Sequence, residues 1–496
     1  MGLSHDELQR SAREHLLLHF TRHGATLADG RELLVLERGE GPYVFDTRGR
    51  RYIDSLSSLF CAQIGYSYGE EMVSAIAAQL ERLAFSTNWG AAHPTAIELA
   101  ERLAEVMPGE LNRAFFTSGG SEAVEAAWKI VREYFEAIGQ PQRRKAIARD
   151  IAYHGVTLGA LALTGVASMK EPFGPPPIDV THVSNTNAFR APDGDDPEAF
   201  SVRLLAEMRE AIIAAGADEV AMIIAEPVQN AGGCLVAPPG YWQGMRALAD
   251  EYGALLVADE VICGFGRLGE WLGIEREGVV PDLATVAKGL TSAYAPMGAV
   301  LVSDRVAEPL FAPGRLLRHG ITFGGHPLAA AVALKNIEIF ERDGVLDNVR
   351  RHEQHLTSRM QELRALPIVG DVRGRGFFWA VELVRDEDNH TFDAPDRDRL
   401  LRDFLPRRLL EAGLIARPDD RGDSVLQIAP PLIADTSVLD EIVDRLHDVL
   451  QHAGQHMGIA AAPDRSKRAP SSQTSGSEIS GYAPDRRAAR RSTRTG

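Results

Sequence analysis

The chain has 496 residues, of which 45% are hydrophobic and 25% are charged, and its formal net charge is −16. These values are ordinary for a soluble globular protein, and the length allows a large domain with an extensive core beside a smaller one. The acidic balance disfavours a nucleic-acid partner, and no apolar run is long enough to cross a bilayer. Three widely spaced cysteines offer neither a disulfide framework nor metal-ligand spacing, so we expect a cytoplasmic protein without a metal.

The first hundred residues change from a strand pattern to a helical one. Residues 30–55 alternate short apolar runs with turn sequences, which predicts a small antiparallel meander. Residues 70–85 and 94–107 repeat apolar side chains at helical spacing instead. Pro94 is well placed in the first turn of the second helix.

Between Leu111 and about Val302, short apolar runs alternate with helical stretches. Near-continuous apolar strands between helices predict a parallel sheet covered on both faces. Ligands of such sheets bind at the carboxyl ends of the strands. Polar residues follow the runs at those ends: Thr117 after AFF, Glu226 after AMIIA, Asp259 after ALLVA, Lys288 after LATVA and Ser303 after GAVLV.

Beyond residue 326 a long helical stretch leads into a second α+β region, and we infer a small domain built from both chain ends. The predicted limits are 1–75 for the N-terminal segment of the small domain, 76–331 for the large ligand-binding domain and 332–460 for the rest of the small domain. Residues 461–496 are rich in Arg, Ser, Pro and Ala, a composition that predicts a disordered tail.

Asp259 directly follows the apolar run LLVA. Burial of a carboxylate is unfavourable unless a partner compensates its charge. The protonated ring nitrogen of an organic cofactor is one candidate partner. A helix N-cap or a salt bridge to Arg267 is the alternative.

Lys288 stands between a buried strand and Gly289. Taken alone, such a lysine extends its amine to solvent. One strand–helix step after Asp259, however, it can form a Schiff base with a carbonyl compound and then move a proton.

The sequence FFTSGGSEAVEAAWKI, residues 115–130, predicts a strand, a glycine-rich turn and a helix. Backbone N–H groups at the start of a helix bind anions, and glycine lets the backbone approach a phosphate closely. N-capping by Ser121 is an alternative explanation of the same pattern.

In this order, the elements resemble class III (ω-amino acid:pyruvate type) aminotransferases of fold type I, which use pyridoxal 5'-phosphate. The resemblance covers residues 15–455 and rests on six motifs. They are the glycine-rich turn, Tyr153-His154-Gly155, Glu226-Pro227-Val228-Gln229, Asp259-Glu260-Val261, Lys288-Gly289 and Thr322-Phe323.

The resemblance implies an α/β fold with a mostly parallel sheet of seven-stranded type and a smaller α+β domain. It also implies that Lys288 holds the cofactor as a Schiff base and that Asp259 pairs with the pyridine nitrogen. His154 is expected to be a structural support. The remaining residues implied to bind the cofactor are Gly120 and Ser121 at the phosphate with the partner subunit's Thr322, Tyr153 and Val261 on the two ring faces, Gln229 near the ring hydroxyl, and Glu226.

For the substrates, the resemblance implies that Arg417 holds a carboxylate, a task suited to the two parallel hydrogen bonds of a guanidinium. Phe60 and Trp89 would form apolar pocket walls. A pair between Glu226 and Arg267 could open for the second carboxylate of 2-oxoglutarate, or be permanent architecture.

We therefore expect an amine or ω-amino acid as donor and a 2-oxo acid, pyruvate in the first place, as acceptor. A 2-oxoglutarate-using enzyme, an aminomutase or racemase of the same fold, and a catalytically silent scaffold remain alternatives. Because the partner subunit's Thr322 would complete the site, a homodimer is expected, with a tetramer also open.

Overall fold

The computed structural model describes residues 2–23 and 32–459. The predicted disordered tail at 461–496 lies outside the described residues. In chain order the strands are β1 Leu36–Glu40, β2 Tyr43–Asp46, β3 Arg51–Asp54, β4 Arg113–Thr117, β5 Lys145–Arg149, β6 Asp179–Val183, β7 Val220–Ala225, β8 Val228–Gln229, β9 Leu235–Val236, β10 Leu255–Asp259, β11 Leu283–Val286, β12 Gly298–Val302, β13 Val369–Arg375, β14 Phe378–Leu383, β15 Leu414–Ile415, β16 Arg417–Asp419 and β17 Val425–Ile428.

The α-helices alternate with these strands through the middle of the chain and follow them at its end. They are α1 His5–His15, α2 Ser57–Phe60, α3 Gly69–Arg82, α4 Pro94–Val106, α5 Gly120–Ala137, α6 Leu158–Leu163, α7 Ala167–Lys170, α8 Pro197–Ala215, α9 Tyr241–Tyr252, α10 Asp304–Leu310, α11 Pro327–Arg342, α12 Val345–Glu362, α13 Ala394–Asp398, α14 Leu405–Glu411 and α15 Thr436–His456. Within residues 2–23 and 32–459, none of these helices combines the length and the apolar character that a membrane span requires.

A seven-stranded sheet forms the centre of the molecule, in the order β4-β12-β11-β10-β7-β5-β6. Its middle strands are buried on both faces, as their apolar runs predict. In β7, Met222 and Ile224 pack on the side of α5, whereas Ile223 and Ala225 pack on the side of α8 and α9. This confirms the predicted α/β fold with helices on both faces of a mostly parallel sheet.

One strand of the central sheet runs against the others. β12 pairs antiparallel with both β11 and β4, and Gly298 at its start lies opposite Thr117 at the end of β4. An apolar run predicts a buried strand but carries no information about its direction. The sequences of β5 and β6 are less typical of buried strands, because KAIAR has a charged residue at each end and DVTHV is largely polar.

The N-terminal meander is confirmed: β1, β2 and β3 pair antiparallel in sequence. β15, from near the C-terminus, adds to β3 in parallel, so this sheet contains strands from both ends of the chain. A third sheet has the order β13-β14-β17-β16, with β16 at an edge. The exact domain limits stay a prediction.

Candidate active site

Asp259, the last residue of β10, is buried, and its carboxylate has three hydrogen-bond donors. Thr285 Oγ1 and the Val261 backbone N–H donate over 3.1 and 3.2 Å. His154 Nδ1 lies 2.6 Å from Asp259 Oδ2 and donates to it, while the other ring nitrogen of His154 is buried without a partner among the described residues. Asp259 is therefore neither a helix cap nor the partner of Arg267, and His154 fixes its orientation.

Lys288 follows β11 at the same edge of the sheet, and its backbone has a φ of +43°. A left-handed conformation of a non-glycine residue costs on the order of 1–3 kcal/mol, and such strain concentrates at functional sites. Asn336 stabilises the turn by donating to the carbonyls of Gly289 and Leu290 over 2.9 and 3.1 Å. The Lys288 amine makes no hydrogen bond or ion pair with any described residue, so the strained turn presents an uncommitted amine.

The glycine-rich turn places the start of α5 beside these residues. Gly119 precedes the helix without a side-chain cap, so its first backbone N–H groups are available to an anion. A Cβ atom on Gly120 would come within 2.7 Å of Val261 Cγ1, which explains why glycine is required there. The structure thus excludes Ser121 as the N-cap.

The hydroxyl of Ser121 connects the helix start to the segment after Tyr153. It accepts hydrogen bonds from the backbone N–H groups of Val156 and Thr157, both over 2.9 Å. Gly155 has a φ of +126°, and a Cβ atom there would lie 2.5 Å from Ser121 Oγ. The turn and this segment therefore pack against each other with no space for an added methyl group.

Glu226, directly after β7, is a buried carboxylate beside Asp259 and Tyr153. It accepts from the backbone N–H groups of Tyr153 over 3.3 Å and Asn230 over 3.0 Å. Burial raises the pKa of Glu226 above its ordinary value, and the nearby Asp259 adds to this effect. Glu226 and Arg267 form no ion pair, in contrast to the suggested arrangement.

Arg267 binds groups in the core and not Asp259 or Glu226. Its fully buried guanidinium donates to the carbonyls of Phe377 and Pro430 and to Ser57 Oγ, over distances of 2.6 to 3.2 Å. Because burial disfavours the charged form, the pKa of Arg267 falls to about 10. These contacts identify Arg267 as part of the packing between the chain's N- and C-terminal segments.

Asp259, Lys288, Glu226, Tyr153 and the glycine-rich turn surround one cavity of about 110 Å³. Ile262 and Cys263 complete it, and nothing in the sequence singled them out beyond their place directly after Val261. The lining residues are Gly120, Ser121, Tyr153, His154, Gly155, Glu226, Asp259, Val261, Ile262, Cys263 and Lys288.

Two predicted site residues lie behind the lining of this cavity. Gln229 Nε2 donates to the Asp150 carbonyl over 3.0 Å, and its Oε1 is buried without a partner among the described residues. Phe60 is 1% exposed and packs edge-on against Phe378, with ring centroids 5.5 Å apart, in a cluster that includes Ile262 and Cys263. Phe60 therefore supports the cavity wall from behind.

Trp89 and Thr322 lie on the surface of the chain, away from the cavity. Trp89 is 64% exposed and contacts Gly320, and Thr322 is exposed two residues further on. Asn88 Nδ2 donates to the Gly324 carbonyl over 3.0 Å, which ties the two segments together. One surface patch thus presents both residues.

Arg417 begins β16, near Tyr153. Its guanidinium makes no hydrogen bond with any described residue, and its Nε lies 3.7 Å from Asp419 Oδ2. Burial and the neighbouring Arg421 lower the pKa of Arg417. Arg421, which the sequence reading did not single out, lies with its guanidinium carbon 5.3 Å from the centre of the Tyr153 ring.

The family model described as aminotransferase class-III matches residues 26–450. This match covers most of the chain. The chain belongs to the class III aminotransferases.

Individual relatives agree with this assignment. A probable aminotransferase of Mycobacterium tuberculosis is 49% identical over 449 residues, which are 90% of this chain and 95% of the relative. The putrescine–pyruvate aminotransferase of Pseudomonas aeruginosa is 38% identical over 88% of this chain and 94% of its own length. The crystal structure of the ω-transaminase from Pseudomonas jessenii in complex with PMP superimposes with a TM-score of 0.85 at 34% identity, over 91% of this chain and 99% of that one.

The protein is accordingly a transaminase of fold type I that transfers an amino group to a 2-oxo acid and uses pyridoxal phosphate. The lining of the cavity fits this cofactor chemically. A buried carboxylate, an uncommitted lysine amine, a tyrosine and an uncapped helix start face one space. Because Gly120 carries no side chain, the space beside Val261 stays open to a bound group.

Proposed function

We propose that the protein transfers an amino group from an amine or ω-amino acid to pyruvate, and that Lys288 is its catalytic residue. The observation that carries the proposal is the strained turn at Lys288, which presents an uncommitted amine at the cavity that Asp259 and Tyr153 also line. Pyridoxal phosphate, when bound, supplies an electron sink for the donor's amine carbon.

Each lining residue has a role in this proposal. Lys288 would hold the cofactor covalently, and its amine would then accept and return the proton of the donor's amine carbon. Asp259, held by His154, would pair with the ring nitrogen. Tyr153 and Val261 would hold the ring between them. Gly120 and Ser121 would bind the phosphate, and Glu226 and Gln229 would support the ring.

Two features favour pyruvate over 2-oxoglutarate as the acceptor. Arg417 offers one guanidinium without a hydrogen bond to a described residue, which suits a single substrate carboxylate. Arg267 donates to backbone carbonyls in the core and forms no pair with Glu226 that could open for a second carboxylate. The relative that is named a putrescine–pyruvate aminotransferase supports the same choice.

A donor and acceptor screen tests the proposal. Purified holoenzyme is mixed with putrescine, β-alanine or an aryl amine, together with pyruvate or 2-oxoglutarate, and alanine and glutamate are quantified. We expect alanine to form faster than glutamate, and Lys288→Ala to form neither. Faster glutamate formation would overturn the acceptor, whereas isomerisation of an amino substrate without any oxo acid would indicate a mutase or racemase.

We further propose that the protein is a homodimer, or a dimer of dimers, in which the partner subunit's Thr322 reaches the phosphate. The exposed position of Thr322, outside the cavity of its own chain, supports this proposal. Analytical ultracentrifugation should give at least twice the chain mass, and a monomer with full activity would overturn it. The three free cysteines suit the reducing cytoplasm, where we place the enzyme.

A further inference from the structure

Asp419, at the end of β16, is a buried carboxylate between two arginines. It is 5% exposed and is bound closely by Arg421, whose Nε lies 3.0 Å from both carboxylate oxygens and whose Nη2 lies 2.5 Å from Oδ2. The backbone N–H of Arg421 donates to Asp419 Oδ1 over 3.1 Å. Arg417 approaches no closer than 3.7 Å, the distance from its Nε to Asp419 Oδ2.

This asymmetry determines which arginine remains available. A carboxylate forms its best pair with one guanidinium through parallel hydrogen bonds, and Arg421 already makes them. The neighbouring Asp420 does not compete for Arg417, because Asp420 pairs with Arg402. Arg417 is therefore close to a buried negative charge that is already neutralised.

We propose that Arg421 is a positioning residue for substrate carboxylates: it occupies Asp419 and so keeps the Arg417 guanidinium free to bind them. The inference rests on the proposed role of Arg417. Without Arg421, the buried charge of Asp419 would have no close partner. Arg417 would then move the short remaining distance to Asp419 and be withdrawn from the substrate.

Arg421 also connects this loop to the cofactor cavity. Its guanidinium lies against the ring of Tyr153, which lines the cavity, and its side chain is 14% exposed. A cation held beside an aromatic ring is attracted by the ring's electrons. Arg421 thus contacts both Asp419 and the Tyr153 ring and is largely buried.

Binding of a non-reactive carboxylate tests the proposal without requiring turnover. Propanoate and its uncharged counterpart propanamide are titrated into holoenzyme, and their dissociation constants are measured by saturation-transfer NMR. Arg421→Met should weaken propanoate binding by about tenfold or more, the loss expected for charge-assisted hydrogen bonds, and change propanamide binding by less than about twofold. The KM for pyruvate should rise in parallel, with a smaller change in kcat.

The double variant Arg421→Met/Asp419→Asn separates positioning from general disruption. It removes the charge that would attract Arg417, so propanoate affinity should return to within about threefold of the original value. Arg203→Met removes an equivalent pair of hydrogen bonds, to Asp193, at a place that does not line the cavity, and should leave propanoate affinity unchanged. Equal weakening of propanoate and propanamide by Arg421→Met, or no recovery in the double variant, would overturn the proposal.

Asp419→Asn alone keeps the proposal testable if Arg421→Met does not fold. It removes the carboxylate that could compete with the substrate for Arg417, while Arg421 keeps its contact with the Tyr153 ring. Propanoate should therefore bind about as tightly as before, and a tenfold loss would overturn the inference. Failure of the proposed function is recognised separately, as the absence of alanine formation from pyruvate by the unmodified enzyme.

Discussion

Gly155→Ala should damage cofactor binding in a way that the geometry quantifies. The backbone at Gly155 has a φ of +126°, a region that costs a non-glycine residue on the order of 1–3 kcal/mol. The new Cβ atom would lie 2.5 Å from Ser121 Oγ and 2.8 Å from Ser121 Cα. Overpacking of this kind costs about another 1–3 kcal/mol.

The two costs together amount to about 2–6 kcal/mol. Relief of the contact must move Ser121, which stands in the first turn of α5 at the proposed phosphate site. If the distortion acts on the cofactor alone, its dissociation constant rises by about 30-fold or more, since 1.4 kcal/mol corresponds to a factor of ten. A titration of apoenzyme with pyridoxal phosphate, followed by visible absorbance, measures that constant.

Gly139→Ala is the matched control, because it lies beyond the other end of α5. Its φ is +77°, but no atom lies within 4 Å of an added Cβ. This substitution should lower the melting temperature slightly and leave cofactor affinity unchanged. The reasoning is refuted if Gly155→Ala binds the cofactor as tightly as the unmodified protein, or if both alanine variants weaken binding equally.

Two further predictions concern neighbouring acids. Asp259→Asn should reduce kcat by about tenfold to a hundredfold, because a neutral amide pairs weakly with a cationic ring nitrogen. The substitution should alter the melting temperature little. Stopped-flow measurement of the donor half-reaction checks the effect on rate, and an unchanged rate would contradict it. Glu260 is fully buried, which raises its pKa to about 8 although the Gly273 and Ile274 N–H groups donate to it. Between about pH 4.5 and 8 the folded state keeps a proton that the unfolded state loses, so the free energy of unfolding should fall by up to about 1.4 kcal/mol per pH unit through this group. Urea unfolding from pH 5 to 8 should show a shallower decline for Glu260→Gln, and identical slopes would contradict the assignment.

The sequence was informative where the chemistry is local. Apolar runs predicted the central strands, and the polar residues after four of the five runs predicted one edge of the sheet as the site. Asp259 and Lys288 meet there because parallel strands bring their carboxyl ends together. Ser303 follows the antiparallel β12 and therefore lies at the opposite edge. The antiparallel direction of β12 was not predictable, since direction depends on long-range pairing that periodicity does not encode.

Contacts between segments that are distant in the sequence could not be predicted either. The link from His154 to Asp259 spans 105 positions, and no local pattern identifies the donor to a buried carboxylate. Arg267 illustrates the converse case, because its position after the Asp259 motif suggested an ionic partner, whereas the fold surrounds it with carbonyls. Arg421 stood only four residues after Arg417, yet its importance depends on the burial of Asp419, which the sequence alone does not reveal.

The placement of Arg417 on an edge strand has a consequence for how this enzyme can diversify. β16 pairs on one side only and ends at Asp419, and Arg421 lies in the loop that follows. Asp259, by contrast, ends a strand in the middle of the seven-stranded sheet, and Lys288 follows the neighbouring strand. The edge strand and its loop can therefore change in sequence or length, and with them the residues that select substrates. The catalytic residues in the middle of the sheet need not change. Laboratory evolution towards new substrates should concentrate its changes in residues 417–424.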